Sequence, residues 1–116
     1  MNRIKLTCEM EITLNVIGGK WKPLILYYLT VNGTKRFGEI KNHIAYVSHK
    51  TLTNQLRQLE EDKLITREVF PTVPPKTEYS ITKKGESLYP ILESMCAWGE
   101  KNIDSEKYDL INPQCE

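Results

Sequence analysis

The chain has 116 residues and a mass of 13.5 kDa, the size of one domain, and its 40% hydrophobic and 27% charged residues are the profile of a globular fold rather than a disordered chain. No apolar run approaches the roughly 20 residues of a membrane span, and the N-terminal MNRIKLTCEMEI is too broken by charge for a signal peptide, so the cytoplasm is the expected compartment. Three cysteines cannot all pair within one chain, and there is no CxxC or Cys/His cluster, so neither a disulfide framework, nor zinc, nor any other cofactor is expected.

The net charge of +1 conceals an asymmetry. Residues 1–58 carry nine Lys/Arg and three Asp/Glu, or +6, whereas residues 59–116 carry seven and twelve, or −5. A basic front half suggests one surface made for a polyanion and another kept away from it.

A first helix is expected over about 9–17, with Met10, Leu14 and Ile17 on one face. Gly18-Gly19 breaks it. Trp21, Leu24, Ile25, Tyr28 and Leu29 then recur at helical spacing, with Pro23 in the first turn, where no backbone donor is missed. Asn32-Gly33 closes this second helix.

Lys35 and Arg36 precede a short third helix marked by Phe37, Ile40 and Ile44. After Ala45-Tyr46-Val47, Ser48 is a good N-cap for a fourth helix over about 49–62, whose stripe is Leu52, Leu56 and Leu59. Two helices joined by so short a turn outline a helix-turn-helix.

The period then changes to two. Ile65 to Phe70 and Thr77 to Ile81 read as strands, and Pro71-Thr-Val-Pro-Pro-Lys76 between them as a stiff, protruding hairpin tip. Thr82 caps a final long helix with Leu88, Ile91, Leu92, Met95 and Trp98 on one stripe, bent at Pro90. The fold class expected is mainly α (α+β), a winged helix-turn-helix with a two-stranded hairpin wing. The layout is a single domain over 1–116, with helix-turn-helix 37–62, wing 65–82, terminal helices 9–17 and 83–102, and a loose tail 103–116.

Two faces are left to explain. On a wheel of the fourth helix, Lys50, Asn54 and Arg57 lie opposite the leucines, with His49, Thr51 and Thr53 at the flanks. These groups read base edges and phosphates in a major groove: Arg at guanine, Asn at adenine, Thr at the thymine methyl. An ordinary solvated face carries the same residue types. A hairpin bearing Lys76 follows at once, and this favours DNA. Lys35, Arg36 and Ser48 suit phosphate contacts, although Lys35 and Arg36 also suit a plain surface turn. The second face is apolar. Met10 and Leu14, with Leu88, Ile91, Leu92, Met95 and Trp98, are more than a monomer normally exposes, and one twofold axis buries both stripes.

Gly18-Gly19-Lys20-Trp21, Arg36-Phe37, Val47-Ser48-His49-Lys50-Thr51-Leu52, Leu56-Arg57-Gln58-Leu59-Glu60, the run Val73-Pro74-Pro75-Lys76 to Thr82, and Ala97-Trp98 occur in one order. The chain therefore resembles the HxlR-type transcriptional regulators of the MarR-like winged-helix proteins, over about Cys8 to Glu100. The resemblance implies a homodimer joined by the terminal helices, the fourth helix in the major groove of a palindromic duplex operator, and the wing on the backbone or minor groove. Two residues depart from it. Lys63 stands where the family usually has Gly, and Glu9 where Pro often follows the first cysteine. If Lys63 is left-handed, the cost is on the order of 1 kcal/mol.

In a subset of the family a cysteine at the place of Cys8 senses electrophiles or oxidants. A helix N-terminus favours the reactive thiolate; Lys5 assists and Glu9 opposes. An inert small residue at a helix start is the equal alternative. Cys115, in the tail, is the candidate partner for oxidised Cys8, and Cys96 is expected to pack. A thiol-dependent enzyme needs a base beside its cysteine, but both histidines fall in the helix-turn-helix and no phosphate loop, carboxylate pair or metal motif is present, so no enzyme is expected. A winged helix used only for protein contacts has no need of Lys50, Asn54 and Arg57 on one face.

Overall fold

A computed structural model describes residues 3–111. In chain order the elements are α1 (Met10–Ile17), α2 (Trp21–Asn32), β1 (Lys35–Arg36), α3 (Phe37–His43), α4 (His49–Glu61), β2 (Ile65–Phe70), β3 (Lys76–Ile81), α5 (Lys83–Glu86) and α6 (Tyr89–Lys101). The α2, α3 and α4 helices enclose the core around Ile25, Leu26, Leu29, Ile40, Leu52, Leu56 and Leu59, all essentially inaccessible to solvent. The leucine stripe of α4 thus packs as its spacing dictates.

The expected hairpin wing is β2 and β3, and β1 joins its other edge to make a three-stranded antiparallel sheet of order β1-β3-β2. Lys35 and Arg36, expected only to precede the third helix, pair with Tyr79 and Glu78. Two residues are too few to show an alternation, so no pattern marks them as a strand. β2 and β3 pair from Ile65↔Ile81 to Phe70↔Lys76. They meet the core at Ile65, Tyr79 and Ile81, and beyond Ile65 the β2 strand is exposed from Thr66 to Val69. Lys76 is therefore the first paired residue of β3 rather than the tip. The tip is the exposed run from Pro71 to Pro75.

The C-terminal end of α4 is closed by a Schellman arrangement: Leu64 N–H donates to Leu59 O and Lys63 N–H to Glu60 O, both at 3.0 Å. That geometry requires Lys63 to be left-handed, and its φ is 61°. The Thr82 hydroxyl seals the same corner. It donates to Lys63 O at 2.8 Å and accepts from Gly85 N–H at 3.1 Å as the N-cap of α5. A β-carbon on Gly85 would collide with Leu64 O and the Ile81 side chain, so only glycine lets α5 approach so closely.

The single bent helix expected from Thr82 onward is two helices. α5 ends at Glu86, and α6 begins afresh with Pro90 in its first turn, where proline suits a start better than a bend. The apolar stripe divides as well. Leu92 is 3% exposed and belongs to the protomer's own core, and Leu88 packs partly against it. Ile91 (42%), Met95 (49%) and Trp98 (70%) face solvent, with Met10 and Leu14 of α1 exposed too. Leu88 and Leu92, expected with the interface stripe, are thus turned inward. No helix among the described residues is long and apolar enough to cross a membrane.

Candidate nucleic-acid interface

The α3 and α4 helices start side by side. The Arg36 N–H donates to Glu39 Oε1 at 2.9 Å, closing the first turn of α3. Ser48 Oγ accepts the Thr51 N–H at 3.1 Å, the N-cap read from the sequence. Phe37 and His49, the first residues of the two helices, put their rings 4.7 Å apart. Between them the chain turns through Tyr46, whose φ is 67°.

Lys50, Asn54 and Arg57 are exposed on α4, away from its buried leucines, and His49 is exposed at its start. Thr51 and Thr53 are half-buried. The Thr53 hydroxyl donates back to His49 O at 2.8 Å. Thr53, Arg57 and Glu60 of α4 line a cleft of about 230 Å³ with Arg67 and Tyr79 of the sheet. Glu60 and Arg67 stand 3.8 Å apart across it. Burial pushes the Tyr79 phenol above its ordinary pKa, the Arg67 guanidinium opposes this, and the Glu60 carboxylate adds to it.

The wing side is basic but partly self-neutralised. Arg36, Phe37, Gly38 and the hairpin tip through Thr77 line an open cleft of about 540 Å³. Lys76 Nζ lies 4.6 Å from the Phe70 ring centre and 3.7 Å from Glu78 Oε2. Lys35, half-buried on β1, has its ammonium 5.8 Å from the Tyr28 ring centre. Arg36, Lys50 and Arg57 are thus exposed and outside any ion pair among the described residues, whereas Lys76 has Glu78 beside it.

Cys8 is an exposed thiol just before α1. Its Sγ accepts the Met10 N–H at 3.5 Å. Besides Glu9, which directly precedes α1, Glu11 brings a second carboxylate to this end: its Oε2 accepts the N–H groups of Thr7 and Cys8 at 2.6 and 2.9 Å. Cys96, expected only to pack, is half-buried against the core and is disulfide-bonded, so Cys8 is the free thiol among the described residues. Cys115 lies outside the described residues.

The family model described as HxlR-like helix-turn-helix matches residues 16–107. The chain belongs to the HxlR-like family. Among curated relatives it is 45% identical to the HTH-type transcriptional regulator YkvN of Bacillus subtilis, over 95% of this chain and 96% of that one. Among solved structures, the oxidised form of the redox regulator HypR is 48% identical with a TM-score of 0.77, covering 84% of this chain and 99% of that one. The reduced form of the transcriptional regulator YodB from B. subtilis is 30% identical with a TM-score of 0.68, covering 87% and 98%. The HxlR-like match spans the whole α2–α6 frame, so the resemblance drawn from scattered motifs extends to the fold. Two features of this member had no motif to announce them: the β1 strand and the left-handed Tyr46.

Proposed function

We propose that this chain is a transcriptional regulator that binds duplex DNA sequence-specifically as a homodimer. The observation that carries the reading is the outer face of α4, where Lys50, Asn54 and Arg57 stand exposed beside a projecting hairpin. An α-helix fits the major groove, and this triad supplies two cations and an amide to read its edges. Exposed Met10, Leu14, Ile91, Met95 and Trp98 form the apolar surface that a second copy covers. A twofold dimer reads a palindromic site, with half-sites about one helical turn, near 34 Å, apart.

Cys8 is the proposed signal input. It is exposed, it sits at the start of a helix carrying Met10 and Leu14, and its sulfur already accepts a helix N–H. The likeness to a redox regulator supports the same role. Oxidation or alkylation there changes the bulk where two subunits meet and so shifts the spacing of the two α4 helices.

Selection of duplexes from a random pool by the purified protein, followed by sequencing, tests the DNA reading. A palindrome with that half-site spacing is expected, with affinity falling steeply as salt rises. A pool with no enriched sequence sinks it.

A further inference from the structure

We propose that Tyr46 is a DNA-contacting residue whose phenol hydroxyl donates to a backbone phosphate at the edge of the groove that α4 enters. The inference rests on the DNA-binding reading and adds to it a contact outside the helix.

Ile44 and Val47 anchor the turn between α3 and α4, both buried in the core, and Ala45 is half-buried. Tyr46 alone leaves the core: it is 86% exposed and its φ is 67°. A solitary exposed aromatic means little by itself. A left-handed backbone is different, because a β-carbon there crowds the following carbonyl, and glycine or asparagine holds that conformation at less cost. The Tyr46 side chain offsets none of this strain within the fold. No hydrogen bond, ion pair or ring contact joins it to another described residue. An observed strain with no return inside the protomer points to a job outside it.

The neighbouring residues say what that job is. Tyr46 stands two residues before Ser48, the N-cap of α4, so the two are within about 7 Å along the chain. His49 and Lys50 follow, both exposed. With α4 in the major groove, the turn before its N-terminus borders the sugar–phosphate wall. Tyrosine hydroxyls are regular phosphate donors there, and they position the protein without reading sequence. A phenol brings no charge and displaces no counterion, so its contribution has a signature distinct from that of a lysine.

The test compares wild type with Tyr46→Gly, Tyr46→Phe and Lys50→Ala, using fluorescence anisotropy on the selected duplex at several salt concentrations and thermal melting of the free proteins. Tyr46→Gly is expected to melt higher, because its strain is gone, yet to bind about 3- to 10-fold more weakly. Tyr46→Phe should lose a similar factor, with the slope of log K against log salt unchanged in both. Lys50→Ala should weaken binding and flatten that slope. Wild-type affinity in Tyr46→Phe, or in Tyr46→Gly, while Lys50→Ala is weakened, overturns the inference and leaves the DNA reading intact. If wild type binds no duplex, both fall together.

Discussion

The Phe37 and His49 rings meet with centroids 4.7 Å apart and planes tilted by 49°, and each residue is the first of its helix. The contact joins the two starts of the helix-turn-helix on the side where α4 presents its exposed cations. It adds a contact at the helix starts to the core packing of Ile40 with Leu52, Leu56 and Leu59. An aromatic pair of this kind contributes about 0.5 to 1.5 kcal/mol beyond the area it buries. A double-mutant cycle with Phe37→Leu and His49→Ala should return a coupling of that size in urea unfolding. Additive losses would show that the two helices are held by the core alone.

The Lys63 backbone offers a second stability measurement. Its φ of 61° is imposed by the Schellman closure of α4. Left-handed strain of roughly 1–2 kcal/mol is relieved by glycine, against about 0.5–1 kcal/mol of extra chain entropy lost on folding. Lys63→Gly should therefore stabilise the protein by about 0.5 to 1 kcal/mol, read as a higher urea midpoint at constant m. A lower midpoint would mean that the lysine side chain contributes more than its backbone costs.

The α4 helix was legible because its signals agree: Ser48 caps it, Leu52, Leu56 and Leu59 share a face, and the cations lie opposite. The Lys63 strain was legible as a residue standing where a glycine is usual. The β1 strand was not, since Lys35 and Arg36 are held by pairing with β3, which is distant in sequence. The division of the last stripe was hidden for a similar reason. Leu88, Ile91, Leu92 and Met95 share one helical spacing, and only the packing of α6 on the core decides which turn inward. Of the basic face, sequence shows which residues are cations. It does not show that Lys76 already has Glu78 3.7 Å away.

That pairing sets apart the contributions to DNA binding. Arg57→Ala should cost about 1–3 kcal/mol if the guanidinium reads a base, and should relax one position of the site. Lys50→Ala should reduce the salt slope by about 1 if it meets a phosphate. Lys76→Ala should reduce it by less, because its ammonium is half-neutralised by Glu78 and held over Phe70. Glu78→Gln should tighten binding and steepen the slope by freeing Lys76. Equal slopes in Lys50→Ala and Lys76→Ala would show that the Glu78 contact opens on DNA.

The proposed dimer surface can be separated from the core within one helix. Trp98 is 70% exposed and Leu92 is 3% exposed, six residues apart on α6. Trp98→Glu should leave the fold intact and shift sedimentation at micromolar concentration from dimer to monomer, with operator affinity falling alongside. Leu92→Ala should instead lose about 2–5 kcal/mol of stability through the cavity it leaves. A wild-type chain that sediments as a monomer at micromolar concentration would remove the dimer.

Cys8 carries the last prediction. Its thiol is exposed, its sulfur accepts the Met10 N–H at 3.5 Å, and Met10 itself is exposed on the face assigned to the partner. Diamide removes two hydrogens from a pair of thiols and joins the sulfurs, whereas a quinone adds directly to one thiolate and needs no second cysteine. Either change places new bulk or a bond beside the α1 face, and fixed half-sites tolerate little movement of one α4 against the other. The modification acts only to the extent that it favours one subunit arrangement over the other. Operator affinity of wild type should therefore change sharply with diamide or with the quinone, and Cys8→Ser should respond to neither. Cys115→Ser separates the two chemistries. It should abolish the diamide response if the disulfide runs from Cys8 of one subunit to Cys115 of the other, visible as a covalent dimer on a non-reducing gel, while the quinone response persists. Equal responses in wild type and Cys8→Ser would make Cys8 a structural residue at a helix start and leave the regulator to answer some other signal.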